Sequence, residues 1–198
     1  MVEAATNFRK NGFNDEDSAT LAVVASKFQN VADETISAGE SADFIISQLI
    51  AFGIEAENAE RIIDSINEVS NNFSVSSGDL SKALGVVAST SGAMGNSMEE
   101  TLGIVTAITE QTRNASRAAR GANSIFANLV QVLDDTSSNG KKITEIFKDL
   151  GVEMYENGQL KSGFDLLAGM AEKWGTLDSN TQKYIATTLA GEISPLQG

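Results

Sequence analysis

The sequence predicts an all-α protein, a multi-helix bundle of short helices with one small β-hairpin near 152–161. Three observations point there. Apolar residues recur at three- and four-residue spacing through most of the chain. Ser, Asn and Asp precede these runs and Gly follows them, as helix starts and stops do. A single Pro and 6% aromatic residues, with much Ala, Ser, Leu and Ile, favour helix over sheet. With 198 residues, 41% of them hydrophobic, the chain can bury a real core.

The elements follow in order. "VEAATNFRK" reads as helix from its first residue, and Asn11-Gly12 stops it. Asn14 opens the next helix, with Asp15, Glu16 and Asp17 on the positive end of its dipole and Leu21, Val24, Ala25 and Phe28 on its apolar face. Gly39 and Ser41 punctuate. Phe44, Ile45, Leu49 and Phe52 mark a helix that Gly53 closes, and Ile62, Ile63, Ile66 and Val69 mark another. Ser77 with Asp79 opens the helix of Leu80, Leu84 and Val87. Ser97 and Glu100 form a capping box before Met98, Leu102, Val105 and Ile108. A longer helix runs from Arg113 to about Leu133, and Ile143, Ile146, Phe147 and Leu150 make a short one ended by Gly151.

Then the pattern changes. Asn157-Gly158 sits between short alternating runs and fits a two-residue hairpin turn, because both residues tolerate positive φ. Val152, Met154 and Leu160 point into the core. A lone hairpin is marginal in water, so this one must lie on helices. Leu166, Leu167, Met170 and Trp174 supply such a face, with Trp174 as core. Ser179 and Gln182 form a further capping box ahead of Tyr184, Ile185 and Leu189. The abrupt start and the trailing "GEISPLQG" read as a piece of a longer chain, with Met1 added or incidental.

Formal charge is −13, and it is uneven. Between Phe28 and Thr112 there are 13 acidic residues and only Arg61 and Lys82 as cations, whereas from Arg113 onward nine basic residues face ten acidic ones. This step divides an acidic helical segment, 1–112, from a helical segment with the hairpin, 113–198. The two form one continuous domain or two packed subdomains. The acidic part repels nucleic acid, anionic membrane and its own copies, so tight nucleic-acid binding is not expected, and the isolated chain is expected as a monomer or weak dimer. No apolar run approaches the roughly 20 residues that span a bilayer.

Chemistry-bearing patterns are sparse. The absence of Cys and His excludes disulfides, Cys/His zinc sites and a histidine base. "DDTSSNGKKITE" places Asp135, Ser137, Asn139 and Gly140 like the start of a calcium loop. Ile146 stands where the bidentate Glu belongs, however, and Lys141 and Lys142 bring the wrong charge. Glu99/Glu100 and Asp134/Asp135 are paired carboxylates without a catalytic partner, so no enzyme activity, cofactor or metal is expected. The glycines at 85, 92, 95 and 103 serve as hinges or as tight packing points. Arg113, Arg117 and Arg120 share one helix face at about 100° per residue, opposite Ala115, Ala118, Ala119 and Ala122, which fall in line with Ile125, Phe126, Leu129 and Leu133. That face is solvated, meets an acidic neighbour, or binds a partner.

The ordered blocks "NSMEETLGIVTAITEQ", "RAARGANSIFANLVQVL", "LGVEMYENGQLKSGFDLLAGMAEKWGTL" and "YIATTLAG" resemble the helical core region of tail tape-measure proteins of long-tailed bacteriophages and prophages. The hairpin block is the most specific part, with Gly151-Val152, Asn157-Gly158, Asp165-Leu166-Leu167, Trp174, Leu177 and Leu189-Ala190-Gly191. Upstream, "NDEDSATLAVVASKF" through "DSINEVSNNFSVSSGDLSKAL" fits more loosely. "EISPLQG" departs from the polar turn and further apolar helix usual at that point. The resemblance implies a structural role: a long helical chain in the lumen of the tail tube whose length sets the tube's length and which leaves at genome ejection. It implies the tail-tube protein, tail assembly chaperones and other tape-measure copies as partners, and the bacterial host cytoplasm as the place of assembly. The short, glycine-punctuated helices lack sustained heptads, so this region is a folded module on that chain. The alternative is a helical interaction module, a bacterial adaptor or effector segment, docking an acidic partner through Arg113, Arg117 and Arg120.

Overall fold

A computed structural model describes residues 2–32 and 35–191. Among these residues, ten α-helices and one two-stranded antiparallel sheet make an all-α bundle with a small hairpin. The helices are α1 (Val2–Lys10), α2 (Asp15–Val31), α3 (Ala38–Phe52), α4 (Glu60–Asn72), α5 (Ser77–Ala93), α6 (Met98–Thr112), α7 (Ala115–Val130), α8 (Ser138–Asp149), α9 (Gly163–Trp174) and α10 (Ser179–Ala190). The hairpin strands are β1 (Tyr155–Glu156) and β2 (Gln159–Leu160). Short 3-10 turns at Ala56–Asn58 and Gln131–Leu133 lead into α4 and out of α7.

Side-chain caps set the helix starts. Asn14 accepts from the Asp17 N–H ahead of α2. Ser97 and Glu100 close the expected capping box on α6. Ser37 and Glu40 make a second box on α3, so Gly39 and Ser41 lie inside that helix rather than punctuating it. Two caps sit one residue from their expected place. Ser76, not Ser77, caps α5, and Ser77 is buried, donating to the Val31 carbonyl. Asp178, not Ser179, caps α10, accepting from the N–H groups of Asn180 and Thr181. Gln182 instead donates to the Trp174 carbonyl at 2.8 Å. Asp outranks its Ser neighbour because its two carboxylate oxygens hold two N–H groups and the Thr181 hydroxyl together.

The core runs through the bundle as one cluster, from Phe8 in α1 to Leu189 in α10. Phe8, Phe28, Phe126 and Phe147 are among its largest fully buried side chains, each stabilising the fold by about 2–3 kcal/mol relative to exposure. Helix α5 is central, lying against α3, α4, α6 and α7. Its approach to α3 is close enough that a Cβ on Gly92 would lie 1.9 Å from the Ala51 carbonyl oxygen. Gly92 is thus a tight packing point, while a Cβ on Gly85 or Gly103 would meet open space. Phe44 is half-buried and stacks on Phe28 at 4.8 Å between ring centroids.

The hairpin forms where expected. Asn157 and Gly158 both take positive φ, 51° and 80°, and Tyr155 pairs with Leu160. Met154 is buried, whereas Val152 and Leu160 are only partly so. Leu133 and Tyr184 are exposed rather than apolar-stripe members, the first because a 3-10 turn rotates it outward. Trp174 is half-buried and borders a cleft. The departure expected at "EISPLQG" lies outside the described residues.

Candidate interaction surfaces

The three arginines do not share one helix. Helix α6 ends at Arg113, whose backbone adopts a left-handed φ of 54° while its N–H reaches the Thr109 carbonyl at 2.7 Å. Asn114 then caps α7 by accepting from the Arg117 N–H at 2.8 Å, so only Arg117 and Arg120 ride on α7. The break has a packing cause. Helix α7 must turn back to lay Ala115, Ala118, Ala119 and Ala122, all buried, along the bundle beside α5. One continuous helix would carry those alanines away. All three arginine side chains are exposed at the α6–α7 corner, and among the described residues none has a carboxylate within ion-pair distance.

Beside Arg113 is a polar recess of about 320 Å³, lined by Ser74, Ser76, Asp79, Thr109, Asn114 and Ser116 among others. A second cleft, of about 420 Å³, is apolar. Ile125 of α7, Leu167, Met170 and Trp174 of α9, and Ile185 and Leu189 of α10 line it. No short motif marked this cleft.

Several carboxylates are engaged in structure. Arg61 donates to Glu99 through Nε and Nη2 at 2.5 and 2.7 Å, joining α4 to the start of α6. Burial raises the Glu99 pKa most, but hydrogen bonds from Arg61 and Ser65 and the guanidinium charge together hold it below the usual range. Hydrogen bonds from Ser37 lower Glu40, those from Thr136 lower Asp134, and those from Thr181 and Asn180 lower Asp178. In the calcium-like loop, Asp134 accepts from Thr136 and the Ser137 hydroxyl caps α8, so these groups serve the turn. Among the described residues no group of three or more acidic side chains could hold a metal ion, and no helix is long and apolar enough to cross a membrane.

A family model described as phage-related minor tail protein matches residues 1–191, which takes in every helix among the described residues and the hairpin. The chain belongs to that family. No solved structure matches it. As a minor tail protein it is a structural component of a phage tail, and its partners are other tail components. The capped helices, the buried core and the Arg61–Glu99 tie of this minor tail protein suit a structural component of that kind.

Proposed function

We propose that this minor tail protein is a tape measure and that the region described is a folded helical module on it. In this role it lies in the lumen of the tail tube, sets how far the tube protein polymerises, and leaves when the genome is ejected. It meets tail assembly chaperones in the host cytoplasm before it is packaged with other copies of itself. The work is structural and requires no catalysis. The isolated module is a monomer or weak dimer, because its acidic segment repels copies of itself.

The observation that carries this reading is the unbroken family match along residues 1–191, over the same ordered blocks that resemble tape-measure proteins. Its polar side chains support it by being spent on caps and helix ties, as at Ser37, Ser97 and Asp178. The test is genetic. In a phage that encodes this protein, an in-frame duplication of extended helical sequence outside the folded module should lengthen the tail by up to about 1.5 Å per added residue, read by negative-stain microscopy. Tails of unchanged length on infectious particles would remove the ruler role and leave another minor tail function.

A further inference from the structure

We propose that the α6–α7 corner, through Arg113, Arg117 and Arg120, is a docking surface for a carboxylate-bearing protein segment. This acidic chain pairs its other two arginines with its own acids: Arg9 with Asp15 and Arg61 with Glu99. At the corner it does not. All three guanidiniums are exposed, and none has a carboxylate within ion-pair distance among the described residues.

Their placement also works against the fold. Arg117 lies in the first turn of α7, where the helix dipole disfavours a cation and where α7 has no acidic residue. Arg113 holds a left-handed backbone that glycine would adopt without strain. Helices α2, α3, α5 and α6 follow the usual rule with acidic first turns, whereas α8 and α10, like α7, have none. The fold needs the turn but not arginine at either place, and that choice marks residues kept for something outside it.

Guanidinium forks recognise carboxylate or phosphate in a bidentate manner. Carboxylate is favoured here. Three cations on a chain of net charge −13 would release few counterions from a nucleic acid, while the whole-protein field opposes a long polyanion. A short acidic segment needs only the local cluster. The recess beside Arg113 offers the hydroxyls of Ser74 and Ser76 and the amide of Asn114 as further partners, and Asp79 in its lining keeps a carboxylate to the arginine side.

The test uses a fluorescein-labelled oligoglutamate peptide and an oligothymidylate of equal length, followed by polarisation at low salt. The wild type is compared with R117A/R120A, R113G and the control K141A/K142A, and each is melted in parallel. The expected result is peptide binding that R117A/R120A weakens roughly tenfold and K141A/K142A leaves unchanged. R113G should weaken it several-fold while melting higher, which separates docking from folding. Absent peptide binding, equal or tighter oligothymidylate binding, or equal losses in the arginine and lysine variants would overturn the proposal. None of these outcomes bears on tail length, so the ruler reading stands or falls separately.

Discussion

Asn96 accepts the backbone N–H of Phe164 through Oδ1 at 2.7 Å and donates through Nδ2 to the Ser91 hydroxyl at 2.8 Å. One side chain in the α5–α6 turn therefore caps the start of α9, 68 residues further along the chain. The Gly163 N–H adds a bond to the Met94 carbonyl at 3.1 Å, and Ser91 shares a hydrogen bond with Thr101 at 2.6 Å. The network is buried, with Asn96 only 4% exposed, so its members cannot turn to water if it breaks.

Asn96→Ala should accordingly be costly. It leaves the Phe164 N–H and the Ser91 hydroxyl each short of a partner, a loss of about 2–3 kcal/mol. For a chain of this size that lowers the melting temperature by roughly 5–10 °C. Asn96→Asp keeps the acceptor for Phe164 and should lose less. Thermal denaturation followed by circular dichroism decides; an unchanged melt for Asn96→Ala would mean that α9 is held by other contacts.

Two glycines in α5 should respond in opposite directions. Gly92→Ala drives a methyl to 1.9 Å from the Ala51 carbonyl oxygen, which belongs to rigid helix backbone. Helices α3 and α5 must then part, at a cost of about 3 kcal/mol or more. Gly85→Ala meets open space in the same helix and should stabilise by about 0.5–1 kcal/mol. Chemical denaturation of the two variants beside the wild type measures both signs. Equal effects would show that the α3–α5 approach is looser than the geometry requires.

Much of this was legible in the sequence because it is local. Asn14, Ser97 and Gly53 announce their helix ends through side-chain chemistry that needs no tertiary partner. Asn157-Gly158 announces its turn in the same way. What was not legible depends on distant packing. Arg113 looks like the first residue of a long helix, since Thr112-Arg113-Asn114 contains no glycine to signal a stop. The stop comes from the need to seat the alanine face of α7, and Asn114 becomes a cap only once that break exists. The tie from Asn96 to Phe164 and the pairing of Arg61 with Glu99 are likewise contacts between residues far apart in sequence. The apolar cleft beside Trp174 exists only through the angle between α9 and α10.

Stability should fall on acidification below the ordinary carboxylate range. Glu40, Glu99, Asp134 and Asp178 all have folded pKa values lowered from their usual positions, so the unfolded chain binds protons first. The stability they contribute is fully present above about pH 5 and is lost as pH drops through about 4 and below. Glu99→Gln should flatten part of that slope, because the neutral amide no longer changes charge beside Arg61. Melting temperatures taken across this pH range test it. A Glu99→Gln profile parallel to the wild type would show that the Arg61 pair contributes nothing to the pH dependence.

The hairpin is predicted to act as a packing device, and two substitutions separate its turn from its anchor. Gly158 holds φ 80°, where a β-branched residue is strained, so Gly158→Val should cost about 1–2 kcal/mol and lower the melting temperature. The ladder itself is only Tyr155 with Leu160 and Glu156 with Gln159, too short to persist alone. One further bond, from the Lys161 N–H to the Met154 carbonyl at 2.9 Å, closes its base, and what holds it to the bundle is the Met154 side chain, only 6% exposed. Val152 beside it sits so close to α9 that a Cβ on Gly169 would come within 2.8 Å of its Cγ1. Met154→Ala should therefore cost more than the turn variant, about 2–4 kcal/mol, because it loosens the hairpin from the core rather than fraying its tip. If Gly158→Val proved the more damaging of the two by thermal melting, the turn would be shaping the fold and the buried anchor would be secondary.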